Sequence, residues 1–212
     1  MHPAKKVGGD FYAFFLPDPD HLWVVIADVS GKGVPAALFM VIAKTLIKNQ
    51  AGSCGDPGEV LGVVNNQLCE NNDAAMFVTC FVGVLDIPTG KFTFANAGHN
   101  APLLYRAGGA YDWLNVKPGF VLGGLDNMQF TSEELTMHRG DRLYLYTDGV
   151  TEALNPTEEL YGEDRLLETM NREDVKNQPI EKVVEAVQED IHVYADGAEQ
   201  ADDITMLLLE IN

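Results

Sequence analysis

Apolar positions recur along this chain with two different periods, and the changes of period divide it into thirds. Residues 7–16 and 22–28 are rich in β-formers, and the PDPDH between them supplies the proline and aspartates of a turn, so a hairpin is predicted. After the glycine-rich SGKGVP, the run AALFMVIAKTLIKNQ is apolar at helical spacing and stops at AGSCGDPG; EVLGVVNNQLCEN then repeats the helical pattern. The middle third is strand-rich. MFVTCFVGVLD and KFTFANAG flank an IPTG turn, APLLYRA and AYDWLNV continue the meander, and FVLGGL, QFTSEELTMH and DRLYLYTD add further strands, the last after an HRGD turn. The last third predicts helices at VTEAL, near GEDRLLETMNRE, and at PIEKVVEAVQEDIHVYA, whose proline suits a helix start, before a closing strand DITMLLLEI. This order of elements gives an α+β class, antiparallel sheets covered by helices. With no repeat, low-complexity tract or linker, one domain spanning 1–212 is expected.

Composition narrows the setting. The longest apolar runs, CFVGVL and TMLLLEI, are of strand length and well short of the ~20 residues that span a bilayer, and the start MHPAKKVGGDFY lacks the apolar core of a signal peptide. A soluble, cytoplasmic domain without membrane contact is expected. Lys and Arg total 14 against 32 Asp and Glu, a formal charge of −18, which disfavours any site that tracks a nucleic-acid backbone. Most of those carboxylates belong to solvated faces such as EKVVEAVQED. Cys54, Cys69 and Cys80 form no CxxC pair and have no histidines at zinc spacing, so they read as reduced thiols, Cys80 as a small core residue. A strand bearing a candidate ligand lies within ten residues of Met1, so a catalytic domain cut from a longer protein with an upstream sensor or regulatory region is expected.

Candidate chemistry lies in four aspartates at strand boundaries: Asp10 in VGGDFY, Asp28 ending LWVVIAD, Asp148 ending RLYLYTD and Asp202 opening DDITMLLLEI. Strands running side by side would gather these carboxylates on one rim, and clustered carboxylates call for a hard divalent cation with oxygen ligands. DVSGKGVPAALFM is the most distinctive segment. A carboxylate, two glycines around a turn and a helix start let backbone approach an ion or anion closely, although an ordinary strand-to-helix turn reads the same way. It is not a Walker loop, since Gly33 follows Lys32 where Ser or Thr would be needed. His99 in NAGHNAP reads first as a hydrogen-bonded structural group, and Lys32 as a surface lysine before a phosphate contact. His138 and His192 read as surface residues, and Phe11, Phe14, Phe15 and Trp23 as core and rim of the first hairpin.

Taken together, VGGDFY, DVSGKGVPAALFM, MFVTCFVGVLD, NAGHNAPLL, LYLYTDGVTEALN, YGEDRL and DDITML resemble the metal-dependent protein phosphatases of the 2C type, and more narrowly their bacterial SpoIIE-like branch, from about Val7 to Leu209. The resemblance implies an αββα sandwich of two antiparallel sheets flanked by helices, with two Mn2+ or Mg2+ ions at one end. It implies that Asp10 and Asp148 bind metal, that Asp28 bridges both ions, that the Val29 carbonyl adds an oxygen, and that Asp202 completes the set with Asp203 in reserve. The implied reaction is hydrolysis of phosphoserine or phosphothreonine by a water bridging the two ions. The implied substrate is a regulatory phosphoprotein, an anti-sigma-factor antagonist in a partner-switching circuit. The helices at about 34–50 and 58–71 adjoin Asp28 and are expected to relay regulation or form a homodimer contact. Two positions depart from the pattern. Ala13 stands where the branch often has a second aspartate, and Ser30 where the wider family has a histidine. Ser30, Lys32 and His99 are therefore secondary candidates, with leaving-group protonation left to no assigned side chain. The alternative reading is a pseudophosphatase that uses the same fold as a binding module; an acid protease is a poorer third, since DVSG and TDGV are only superficially like its paired loops.

Overall fold

The computed structural model describes all residues except Lys6, Asn71 and Pro118. In chain order its elements are β1 (Phe11–Asp18), β2 (His21–Val29), α1 (Val34–Ala51), α2 (Pro57–Cys69), β3 (Val78–Asp86), β4 (Lys91–Ala97), β5 (Leu103–Tyr105), β6 (Tyr111–Trp113), β7 (Glu133–Thr136), β8 (Arg142–Tyr146), α3 (Glu163–Asn171), α4 (Ile180–Ala195) and β9 (Met206–Glu210). They form two compact units, one of Lys5–His99 with Val116–Met137, the other of Met1–Ala4, Asn100–Asn115 and His138–Asn212. The expected α+β class, with antiparallel sheets and helices, is what the chain has.

The first unit is a five-stranded antiparallel sheet in the order β1-β2-β3-β4-β7 with α1 and α2. Alternate residues of β2, namely Trp23, Val25, Ala27 and Val29, join Ala43 and Ile47 of α1 and Leu61 and Val64 of α2 in one buried cluster. That alternation is the pleat at work: side chains i and i+2 share a face. Trp23 carries Phe15 stacked on it at 6.3 Å between ring centroids, and Cys80 is fully buried, as the sequence predicts, whereas Phe14 is 64% exposed. Gly83, in mid-strand, is there for Phe92, because a Cβ at that position would run into its ring. Asp56 caps α2 by accepting the Glu59 N–H at 3.0 Å, followed by Pro57 at the first helical position. Two expectations fail here. Residues 7–10 precede β1 rather than belonging to it, and FVLGGL is not a strand: only Leu122 bridges, to Val78, before Gly123 at φ +80° turns the chain away.

The second unit is a four-stranded antiparallel sheet in the order β6-β5-β8-β9, with α3 and α4. Tyr144, Tyr146 and Leu208 of the sheet share a buried cluster with Leu166 and Met170 of α3 and Val183, Val187 and Ile191 of α4. The helix expected at VTEAL is a single 3-10 turn, Asp148–Val150. It stops because Asn155 and Pro156 follow closely, and the Asn155 side chain accepts the backbone N–H groups of Thr157 and Glu159 at 3.0 and 2.9 Å, building a turn instead.

Candidate metal centre

The register of the first hairpin brings two of the four aspartates together. Phe11 pairs with Ala27, so one further step sets Asp10 opposite Asp28. Asp10 is 1% exposed and Asp28 half-buried. Gly9 explains how the backbone closes on this step: a Cβ there would lie 2.9 Å from the Val29 carbonyl oxygen, a contact that side chains do not tolerate. The Val29 carbonyl and Asp28 at the end of β2 and Asp10 just before β1 thus flank the open end of the β1–β2 ladder.

The secondary candidates around Asp28 hold this stretch in place. The Ser30 N–H donates to the Phe77 carbonyl at 2.9 Å and the Ser30 Oγ accepts the Phe77 N–H at 2.9 Å, which prolongs the β2–β3 ladder past Asp28. Across that ladder Asp28 pairs with Thr79, whose hydroxyl lies 2.9 Å from His99 Nδ1. The His99 N–H donates to Asn96 Oδ1 at 2.7 Å, and Asn96 Nδ2 donates back to the His99 carbonyl at 2.9 Å. His99 is therefore buried in a hydrogen-bonded corner after β4. Lys32 is exposed between Gly31 and Gly33, whose φ values of +85° and +81° only glycine adopts readily. His138 and His192 are exposed, as expected. Ala13 packs against the apolar cluster of the first unit.

In the second unit, backbone contacts bring the segments that carry the other two aspartates side by side. The Thr147 N–H donates to the Thr205 carbonyl at 3.0 Å and the Thr205 N–H to Thr147 Oγ1 at 3.0 Å, so the segment opening at Asp148 runs alongside the segment holding Asp202. Gly149 sits so tightly on that segment that a Cβ would collide with the Asp203 carbonyl oxygen. The two neighbouring acids differ in environment. Asp203 is buried and its Oδ1 accepts the Ala4 N–H at 2.8 Å, whereas half-buried Asp202 turns its Oδ1 to the Asp203 N–H at 2.8 Å. Sequence reasoning misses the chain start: His2 and Ile204 exchange backbone hydrogen bonds of 2.8 and 2.9 Å, and Gln200 Nε2 donates to the His2 carbonyl at 2.8 Å. Nothing in MHPA signals such a strap, since backbone pairing of two residues leaves no periodicity.

The backbone thus sets the position of Asp10 across from that of Asp28, and the segment of Asp148 beside that of Asp202; among the described residues no group of three or more His, Cys, Asp or Glu side chains is disposed to hold a metal ion. The candidate donors are carboxylates and one carbonyl, all oxygen, a chemistry that suits Mg2+ or Mn2+ rather than a soft metal. Burial raises the Cys80 thiol pKa far above its ordinary value, so it offers no nucleophile.

The family model of Stage II sporulation protein E (SpoIIE) matches residues 18–212. The chain belongs to the SpoIIE family. The matched span contains Asp28, Asp148 and Asp202 and begins after Asp10. This SpoIIE-family chain is 33% identical to Protein IcfG of Synechocystis sp. over 240 residues, covering all of the chain and 37% of that protein. It is 36% identical to phosphoserine phosphatase RsbU of Bacillus subtilis over 152 residues, 71% of the chain and 44% of that protein. The chain therefore spans less than half the length of these curated relatives. Among solved structures, the SiaA-PP2C domain of Pseudomonas aeruginosa superposes with a TM-score of 0.87 at 24% identity, covering 100% of this chain and 84% of that one. The PP2C phosphatase domain structure of SpoIIE from Bacillus subtilis gives 0.82 at 17%, covering 100% and 61%. The SpoIIE-family chain has the PP2C fold.

Proposed function

We propose that this domain is a metal-dependent serine/threonine protein phosphatase. The observation that carries the reading is the placing of aspartates beside the two close backbone approaches at Gly9 and Gly149, in a SpoIIE-family chain similar to the phosphoserine phosphatase RsbU. On this reading Asp10, Asp28, the Val29 carbonyl, Asp148 and Asp202 hold two Mn2+ or Mg2+ ions. When bound, such ions acidify water and neutralise charge on a phosphoryl group, which is how an acidic chain handles an anionic substrate. The chain's own part is positional. Ser30 and Phe77 fix the β2–β3 ladder that aims Asp28, and the Thr79–His99 contact braces the strand opposite. Asp203 serves as a tether to Ala4, which supports Asp202 as the ligand of the two. Ala13 packs against apolar neighbours where the branch often has a carboxylate, so any outer-shell role of that carboxylate is absent, and the reading expects looser metal binding or weaker activity on that account.

The substrate class is a regulatory phosphoprotein, an anti-sigma-factor antagonist, on the likeness to RsbU. The reading further takes 1–212 as one catalytic domain of a longer, sensor-bearing cytoplasmic protein; no described helix is long and apolar enough to cross a membrane. A homodimer through α1 is supported by Val34, Leu38, Val41 and Ile42, apolar at helical spacing and each more than half exposed. Leu38→Glu with Ile42→Glu is expected to yield a monomer in light scattering, the parent a dimer.

The test of activity is turnover of p-nitrophenyl phosphate and of a phosphoserine peptide with Mn2+ present. Asp28→Asn and Asp148→Asn are each expected to lower turnover by roughly 100-fold or more while circular dichroism stays unchanged. Wild-type protein that binds Mn2+ in calorimetry yet turns over neither substrate would sink the reading and leave a binding module.

A further inference from the structure

The second unit contains a cavity of about 290 Å3 that no step above uses. Its apolar wall is Ala153, Leu154, Ile191, Ala195 and Ile204, and Asp202 is part of its lining. Gly149 lines it too, so the cavity abuts the same pair of segments that carries Asp148 and Asp202. On the far side, Gln188 and His192 belong both to this cavity and to a second hollow bordered by Glu185 and Glu189. Glu199, exposed, stands in the cavity lining beside the strap residue His2.

The geometry points to this cavity as the specificity pocket for an apolar side chain that flanks the phosphorylated residue of the protein substrate. The inference rests on the phosphatase reading, which makes Asp202 a metal ligand and so puts the phosphoryl group at the cavity's edge. A strand advances about 3.3 Å per residue, so an extended substrate anchored by its phosphoryl group near Asp202 delivers a neighbouring side chain to the apolar wall. The cavity has room for an aliphatic side chain such as leucine or methionine, and Leu154, Ile191 and Ile204 give it apolar surface to bury against, within a lining that also holds polar groups. Glu199 in the cavity lining, with Glu185 and Glu189 in the neighbouring hollow that shares Gln188 and His192, complements a basic residue beyond the apolar one and disfavours an acidic one. The occupant is therefore an extended phosphoprotein segment with an apolar residue close to the phosphoserine and a lysine or arginine further out.

The experiment uses the full chain with Mn2+ and phosphoserine nonapeptides of alanine background, with leucine walked through the three positions on either side. One position is expected to raise kcat/KM about tenfold over the all-alanine peptide, the usual worth of a filled apolar pocket. Ala198→Trp, which fills the cavity from its lining, and Ala195→Leu as a milder variant are expected to erase that preference while turnover of p-nitrophenyl phosphate stays at the parent level. Placing lysine after the favoured leucine should raise kcat/KM further, and Glu199→Lys should reverse that gain. No positional preference, or one that survives both filling variants, overturns the pocket. Loss of p-nitrophenyl phosphate turnover in the parent overturns the phosphatase reading instead, and leucine-dependent peptide binding by fluorescence anisotropy, abolished or not by Ala198→Trp, then decides the pocket on its own.

Discussion

Gly149 and Gly9 show how a carboxylate site can depend on residues with no side chain. Each lets one backbone lie against a carbonyl oxygen, that of Asp203 in one case and of Val29 in the other, where a Cβ would not fit. Gly149→Ala must push the Asp148 and Asp202 segments apart, and is expected to cost roughly 1–3 kcal/mol in chemical denaturation and to lower Mn2+-dependent turnover. Gly9→Ala, a lesser clash, should weaken turnover with a smaller loss of stability. A Gly149→Ala protein as stable and active as the parent would contradict the back-to-back packing. The glycines of DVSGKGV and the aspartates at strand boundaries were legible because turn chemistry and strand ends leave local marks in sequence. The preference for Asp202 over Asp203 came from the resemblance, and the Ala4 contact supports it. Gly149 and His2 were not legible in this role, since a close approach between segments distant along the chain leaves no local mark.

At the scale of elements, α3 and α4 are tied by one carboxylate. Asp190 of α4 accepts from Arg165 Nε at 3.0 Å, Tyr161 OH at 2.8 Å and Thr169 Oγ1 at 3.2 Å, with Arg165 also 4.6 Å from the Tyr194 ring centroid. Burial pushes the Asp190 carboxyl up, but the hydrogen bonds from Arg165 and Tyr161, the charge of Arg165 and the Thr169 hydroxyl outweigh it and hold the pKa below its ordinary value of 3.8. Asp141 is likewise raised by burial and brought below 3.8 by the His138 and Ala107 N–H groups and Arg106. A carboxyl depressed in the folded state stabilises fully above its unfolded pKa and loses that contribution as pH falls through the folded value. The melting temperature is therefore expected to hold level down to about pH 5 and to fall below about pH 4. Asp190→Asn should cost roughly 1–3 kcal/mol near neutrality and flatten that acid slope; an unchanged slope would show the carboxylate to be idle. Helices α1, α2, α3 and α4 and most strands were readable from apolar period and caps. VTEAL and FVLGGL were not, because Asn155–Pro156 and Gly123–Gly124 decide their course at or just beyond the end of the apolar run.

At the scale of the whole molecule, the charge of −18 sets the terms of encounter with any phosphoprotein. Repulsion between an acidic enzyme and an acidic substrate is screened by salt over a Debye length of about 10 Å at 0.1 M. The kcat/KM for an acidic phosphoprotein is therefore expected to rise severalfold from about 0.02 to 0.2 M KCl, with p-nitrophenyl phosphate far less affected; a fall with salt would mean that local cationic groups, not net charge, govern docking. The interleaving of the two units along the chain has a further consequence, for the protein as it is made. The five-stranded unit has all its residues once Met137 has been added, and domains fold as units as they emerge. The four-stranded unit enlists the first four residues but lacks its edge strand until Glu210, almost the last residue in the chain. A nascent chain arrested between those points would carry a protease-resistant first unit and an open second one, with Asp10 and Asp28 already in register and Asp202 still waiting for its strand. Premature termination between Met137 and β9 should thus leave a half-folded product with no phosphatase activity.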